Sequence, residues 1–260
     1  MFGDIIGQPG RKAIKKILPK LRKKYEPDLV MANAENLAHG AGVTEKSLEE
    51  VLDAGIDLFT SGNHIFDKKE GITLLQRKDI SLIRPANWPP IPYGTGEKII
   101  EIGVRKCLVI NLNGRLFFRE SLDCPFRKVD EILEQYEDEQ VDAIIVDFHA
   151  EATSEKVAMG HHLDGRVAAV LGTHTHVQTA DERILDGGTG YISDVGMVGP
   201  HDSVISFDKH EAIRGWITQI WKKVELAKGP VEVDAVLLDI DTKTKLAKNI
   251  RRIREIIAID

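Results

Sequence analysis

Four times in this chain a short, unbroken apolar run stops at side chains that bind metals or protons. Leu29-Val30-Met31 leads into Asn33-Ala34-Glu35-Asn36, and Ile56 to Thr60 leads into Ser61-Gly62-Asn63-His64. Ala143-Ile144-Ile145-Val146 runs into Asp147-Phe148-His149, and Val167 to Leu171 into Gly172-Thr173-His174-Thr175-His176. Because the runs are continuous rather than alternating, the strands they predict are covered on both faces, as in layered α/β folds. In such folds the carboxyl ends of parallel strands meet at one edge, where ligands bind. Four loops rich in Asp, Glu, Asn and His are therefore expected to converge.

Helical stretches separate these runs. Lys12 to Tyr25 reads as a basic helix broken or restarted at Pro19. Thr44 N-caps a helix with Leu48, Val51 and Leu52 on one face, closed by Gly55. Phe126 to Tyr136 and Ser154 to Leu163 are helical by period, and Lys98 to Ile102 with Cys107 to Leu112 form a hairpin. The last third, with Gly190-Tyr191-Ile192 and Val233 to Ile240, is richer in strand. No repeat, low-complexity segment or linker divides residues 1–260, so one domain is expected.

Composition narrows the class of function. A formal charge of −6 gives no overall electrostatic reason for affinity to nucleic acid, DNA included, or to a membrane. No apolar run is long enough to span a bilayer, and Met1-Phe2-Gly3-Asp4 lacks the basic start of a secretion signal. The two cysteines, Cys107 and Cys124, fit a reducing, cytoplasmic compartment and read as small buried apolar residues.

Taken singly, most pieces are weak: Gly-Asp is commonly a turn, and a histidine placed like His149 after a strand is more often an ordinary hydrogen-bonded histidine than a ligand. His174-Thr175-His176 is stronger, since two imidazoles one residue apart at a strand end suit a metal. The order Gly-Asp, Asn-Ala-Glu-Asn, Gly-Asn-His, strand-His, Gly-Thr-His-Thr-His is more specific than its parts. In that order the chain resembles the calcineurin-like metallophosphoesterases. Gly3-Asp4-Ile5-Ile6 lacks the His that commonly follows the Asp, and Asn33-Ala34-Glu35-Asn36 replaces the common Gly-Asp-x-x-Asp-Arg. Those departures are similar to the bacterial 2′,3′-cyclic-nucleotide 2′-phosphodiesterase branch. Residues 147–156, 172–183, 194–197 and the stretch Gly199-Pro200 with Asp202-Ser203-Val204-Ile205 extend the likeness.

The resemblance implies a four-layer α-β-β-α sandwich with two mixed sheets flanked by helices. It also implies two metal ions, with Glu35 bridging, Asp4, Asn36 and His176 completing one site, and Asn63, His149 and His174 the other. Asn36 would stand in for the missing histidine. Mixed N/O ligation without thiolates suits iron or manganese, to which the family also points. Two cations roughly 3.5–4 Å apart would acidify a bridging water and clamp the phosphate during in-line displacement. His64, beside Asn63, is then the candidate general acid, protonating the ribose 2′-oxygen as it leaves. The implied substrate is a 2′,3′-cyclic nucleotide, hydrolysed to a 3′-nucleotide. Broader phosphodiesterase or phosphomonoesterase activity stays open, as do a regulatory RNA-associated protein with a vestigial site and homo-oligomerisation. An amidohydrolase barrel fits less well, because its His-x-His lies on the first strand.

Other features read blandly. The basic runs Arg11 to Lys24 and Lys243 to Arg254 are expected to be solvated faces or edges, and His161, His162 and His201 to lie away from the ligand set. Arg115 and Arg127 are candidates for contacting phosphate. Only Met1 and Phe2 precede Gly3. The strand holding Asp4 is therefore expected to be nearly absent, in a truncated or mis-started copy, or unusually short.

Overall fold

Chain order and strand order diverge in the structure, a computed structural model describing residues 1–259, and that divergence builds two sheets. The elements are β1 Phe2–Ile5, α1 Gly7–Tyr25, β2 Met31–Asn33, α2 Glu45–Leu52, β3 Leu58–Thr60 and α3 Lys69–Leu75. They continue with β4 Glu97–Ile102, β5 Arg105–Asn113, α4 Pro125–Gln135, β6 Ala143–His149, α5 Thr153–His162, β7 Ala169–Thr173 and β8 Arg183–Ile184. The last are β9 Gly190–Ile192, β10 Met197–Pro200, α6 Lys209–Thr218, β11 Val231–Ile240 and β12 Ala247–Ile257. The first sheet runs β12-β11-β10-β1-β2-β3 and the second β4-β5-β6-β7-β9-β8.

The first sheet is antiparallel only at its β11–β12 margin, and the second is antiparallel at both margins. β10, β1, β2 and β3 are parallel in the first sheet; β5, β6, β7 and β9 are parallel in the second. Three apolar layers make the stack. One packs Ile14, Ile17 and Leu18 of α1 and Leu48 of α2 on the first sheet, and another packs Val129 of α4 and Met159 of α5 on the second. Between the sheets, Met31 and Leu58 meet Val109, Ile145 and Leu171. This is the four-layer α/β sandwich, and strands buried on both faces explain the continuous apolar runs.

Strand β1 is short yet formed. Its four residues pair with β2 and β10, and the Met1 amino group donates to Val236 O at 2.8 Å. Helix α1 begins at Gly7 rather than Lys12 and runs through Pro19 without a break. Gly7 has φ +53°, and Pro9 sits in the first turn, where no intrahelical donor is lost. The expectation of a wholly solvated basic face fails at Arg11, which is buried: its Nε donates to Glu50 at 2.8 Å and its guanidinium to Leu37 O at 2.5 Å. Among the described residues, no helix is long and apolar enough to cross a membrane.

Candidate metal centre

Register sets the site. Asp4 lies beside Asn33 and Asn33 beside Thr60 in the first sheet, while Asn113, His149 and Thr173 form one row in the second. Both rows end at the same edge. Asn111 of β5 ties the sheets there, its Oδ1 accepting from Ser61 N at 3.1 Å.

Glu35 is at the centre. Asn33 Oδ1 accepts from Glu35 N at 3.0 Å, which turns the chain so that the carboxylate points inward. Glu35 Oε1 lies 3.2 Å from His149 Nε2 and 3.1 Å from Asn36 Nδ2, and Oε2 accepts from His64 N at 3.0 Å. His174 Nδ1 is 3.0 Å from His149 Nε2. One ligand atom each from Glu35, His149 and His174 therefore falls within 4.8 Å of the others. Beside this cluster, Asp4 Oδ1 is 3.4 Å from Asn36 Nδ2 and 3.8 Å from His176 Nε2, and Asn36 Nδ2 is 3.3 Å from His176 Nε2. Asp4 Oδ2 accepts from His174 N at 3.2 Å.

Gly62 packs directly against the donors. A Cβ on it would collide with Glu35 Oε2 and His149 Nε2. Asn63 follows, opening a short 3₁₀ turn over Asn63–Phe66. Its Oδ1 is buried with no hydrogen-bond partner among the described residues.

The second sheet's imidazoles are aimed by their other nitrogens. Thr173 Oγ1 donates to Asp147 Oδ1 at 2.7 Å and so accepts from His149 Nδ1 at 2.9 Å, which leaves a lone pair on Nε2. Glu151 Oε2, 3.0 Å from His174 Nε2, accepts there and leaves a lone pair on Nδ1. His174 and His176 themselves have φ of +102° and +63°, which costs on the order of 1–3 kcal/mol each for residues that are not glycine. Asp194 holds this loop, accepting from Thr175 N at 3.0 Å, Thr175 Oγ1 at 2.8 Å and Lys156 Nζ at 2.6 Å, with Lys156 and Asp194 both buried.

The donor set fits a cation. Two imidazole lone pairs 3.0 Å apart beside a buried carboxylate repel unless positive charge lies between them. Without metal a proton serves. Burial lowers the His149 imidazole, but the Glu35 charge and hydrogen bond outweigh it, raising it to about 9. Burial raises the Glu35 carboxyl, yet the His149 charge, their hydrogen bond and the His64 N–H together hold it below the usual range. Burial, then the His149 charge, pushes His174 down to about 2. Burial dominates at Asp4, held well above the carboxylate range, and raises Asp147 to about 6. The orphaned Asn63 Oδ1 also calls for a cation, since an unsatisfied buried carbonyl costs about 1–3 kcal/mol. Turning the Asn36 amide by a half-rotation would put Oδ1 where Nδ2 now meets Asp4, Glu35 and His176.

Every residue expected at the metal site thus comes from a loop or strand end at this edge. Glu35, His149 and His174 form the tight cluster, Asp4, Asn36 and His176 lie beside it, and Asn63 follows Gly62. His64 sits at the rim, its Nδ1 2.7 Å from Asp67 Oδ2. Sequence reasoning did not single out Asp67, although its spacing of three from His64 matches one helical turn. It also missed Glu151, Thr173 and Lys156 as partners, because those contacts join separate segments. Arg115 is exposed at the site's edge, while Arg127 lies on the exposed face of α4. His162 pairs with Asp130 at 3.0 Å and His201 with Glu232 at 2.5 Å, both apart from the cluster.

Comparison with known proteins follows the same lines. A family model described as YmdB-like protein matches residues 1–253. The 2′,3′-cyclic-nucleotide 2′-phosphodiesterase of Bacillus subtilis (strain 168) is 45% identical over 253 residues, covering 97% of this chain and 94% of that protein. The crystal structure of a hypothetical protein from Thermus thermophilus superposes with a TM-score of 0.91 at 38% identity, covering 98% of each chain. That of a novel phosphatase from Mycoplasma pneumoniae gives 0.92 at 36% identity, covering 99% of this chain and 92% of that one.

Proposed function

The chain belongs to the YmdB-like family of calcineurin-like metallophosphoesterases and is a metal-dependent phosphodiesterase; on that premise we propose that it hydrolyses 2′,3′-cyclic nucleotides to 3′-nucleotides. The substrate class is the one named for the Bacillus subtilis relative. The observation that carries the reading is the meeting of both sheets' donors around Glu35, with the His64–Asp67 pair at the rim.

Two ions, iron or manganese, would be held by Asp4, Asn36 and His176 on one side and Asn63, His149 and His174 on the other, with Glu35 between. Such a pair supplies an acidified water nucleophile and positive charge against the phosphate oxygens. Glu35 fixes the rim, since its Oε2 binds the His64 backbone N–H and its Oε1 faces His149. Asp67 accepts from His64 Nδ1–H and so orients the ring. In the reaction water adds to phosphorus, the bond from phosphorus to O2′ breaks, and His64 gives O2′ its proton. Cys107 takes no part, its thiol pushed up to about 12 by burial. In this reading residues 1–260 act as one domain, because the donors come from both sheets, and the two free cysteines fit a cytoplasmic setting.

The test is metal analysis of protein purified without chelator, with turnover of 2′,3′-cyclic AMP and of an aryl phosphodiester. Two ions per chain and 3′-AMP as sole product are expected. His64→Ala should keep both ions and lose roughly 10²–10⁴-fold in kcat on the cyclic nucleotide. It should lose far less on the aryl ester, whose leaving group departs without a proton. Turnover of the aryl ester alone would replace this reading with a broader phosphodiesterase, and equal losses on both substrates would remove the general-acid role.

A further inference from the structure

Residues 115–119 read Arg-Leu-Phe-Phe-Arg, and the structure holds this segment at the rim of the metal centre. Gly114 N donates to His149 O at 2.9 Å, so the segment leaves β5 directly beside a cluster residue. The Glu155 carboxylate then accepts from Arg115 N at 3.0 Å and Leu116 N at 3.1 Å. Phe118 lies over His174, with ring centroids 4.9 Å apart. Phe117, next in line, is turned outward at φ +70° and is 83% exposed. A bulky aromatic residue in the left-handed region is strained, and its exposure forgoes the burial that such a ring normally gains. Among the described residues, neither the Arg115 nor the Arg119 side chain has an ion-pair or hydrogen-bond partner, although most other arginines do.

A fixed, exposed ring between two unpaired guanidiniums is the combination that binds single-stranded nucleic acid: stacking for a base and positive charge for the backbone. We propose that Phe117, Arg115 and Arg119 bind the nucleotide on the 5′ side of the cyclic phosphate, with its base on Phe117 and its phosphate between the arginines. The preferred substrate would then be an RNA oligonucleotide ending in a 2′,3′-cyclic phosphate rather than a free cyclic mononucleotide. This rests on the reading of the site given above. The overall negative charge does not oppose it, because the contact is local.

Binding tests the rim separately from the chemistry. A labelled uridine dinucleotide with a 3′-phosphate, the reaction product, is titrated against uridine 3′-monophosphate by fluorescence anisotropy. Wild type should bind the dinucleotide about 10-fold more tightly, as one added stack predicts. Its log affinity should also fall with log salt more steeply, by about 0.7, for one added phosphate contact. Phe117→Ala should remove the 10-fold preference and Phe117→Trp restore it, whereas Arg115→Ala/Arg119→Ala should remove the extra salt slope. Equal affinity for the two ligands in wild type overturns the proposal, as does the same loss for both ligands in every variant. Turnover of 2′,3′-cyclic UMP and of the uridine dinucleotide 2′,3′-cyclic phosphate in parallel reports on the proposed function: absence of both, with dinucleotide preference intact, would sink that reading and leave the rim standing.

Discussion

The two sheets build the metal centre in different ways. Every candidate oxygen donor comes from the first sheet and every candidate imidazole from the second. On the first sheet β1, β2 and β3 are only three or four residues long, and the buried Asp4, Glu35 and Asn36 are held by backbone N–H groups and by one another: His174 N on Asp4, His64 N on Glu35, and the Asn36 amide on both carboxylates. On the second sheet the strands are longer, and the histidines are held by partners: Thr173 and Asp147 behind His149, Glu151 behind His174, and the Lys156–Asp194 pair behind Thr175. The difference follows from the donors. A carboxylate has equivalent oxygens and needs only to be pointed, whereas an imidazole must also present the correct nitrogen.

The comparison breaks most visibly at its centre. Glu35→Ala should drop the ion count at both positions and abolish turnover, checked by elemental analysis and the cyclic-nucleotide assay. A variant that keeps two tightly held ions would mean the sheets hold their metals independently. Next in size is Lys156→Ala, which leaves Asp194 buried without its cation. Breaking such a pair costs about 3–5 kcal/mol, so a large fall in Tm is expected. A Tm within a few degrees of wild type would show that the backbone N–H bonds to Asp194 suffice.

A smaller effect separates buried from exposed orientation on the second sheet. Thr173→Val removes the hydroxyl between His149 and Asp147 and should cost about 10–100-fold in metal affinity. Glu151→Gln, at a half-exposed carboxylate, should cost less. The reverse order, measured by competition with a chelator, would place the control of imidazole direction at the surface.

The pH-dependent effect belongs to a first-sheet carboxylate away from the cluster. Asp234 on β11 is pushed up to about 8 by burial and then by the Glu232 charge. Its folded value lies above its unfolded one, so its favourable contribution is complete below about pH 4 and lost as pH rises through 8. Asp234→Asn should therefore gain in Tm over wild type as pH is raised from 5 to 9, reaching about 2–4 °C per kcal/mol. A difference independent of pH would show that the carboxyl is not held protonated.

Much of this arrangement was legible in the sequence because burial and chemistry share one signal there. A strand covered on both faces must be uniformly apolar, so its end is marked by the first polar side chain, and the candidate donors of these four loops follow within three residues of that mark. What stayed hidden depends on contacts between segments. The Glu151 partner of His174 and the Thr173 hydroxyl behind His149 have no signature in local spacing. Arg11 looked like part of a solvated basic run because nothing in α1 reveals that Leu37 O and Glu50 await it. The helical reading begins only at Lys12 because Gly7-Gln8-Pro9-Gly10 holds two glycines and a proline, residues of low helix propensity that tertiary packing overrides here.

Gly62 has a consequence for how such a chain can vary. Glycine there is not serving a turn, because the position is fixed by what stands opposite it, Glu35 and His149. A single methyl group at this point would force the Glu35 and His149 side chains out of their positions while changing neither residue. The centre can therefore be silenced by one codon that alters no candidate ligand. A descendant carrying that change would keep the complete set of donor residues in its sequence and still be inert.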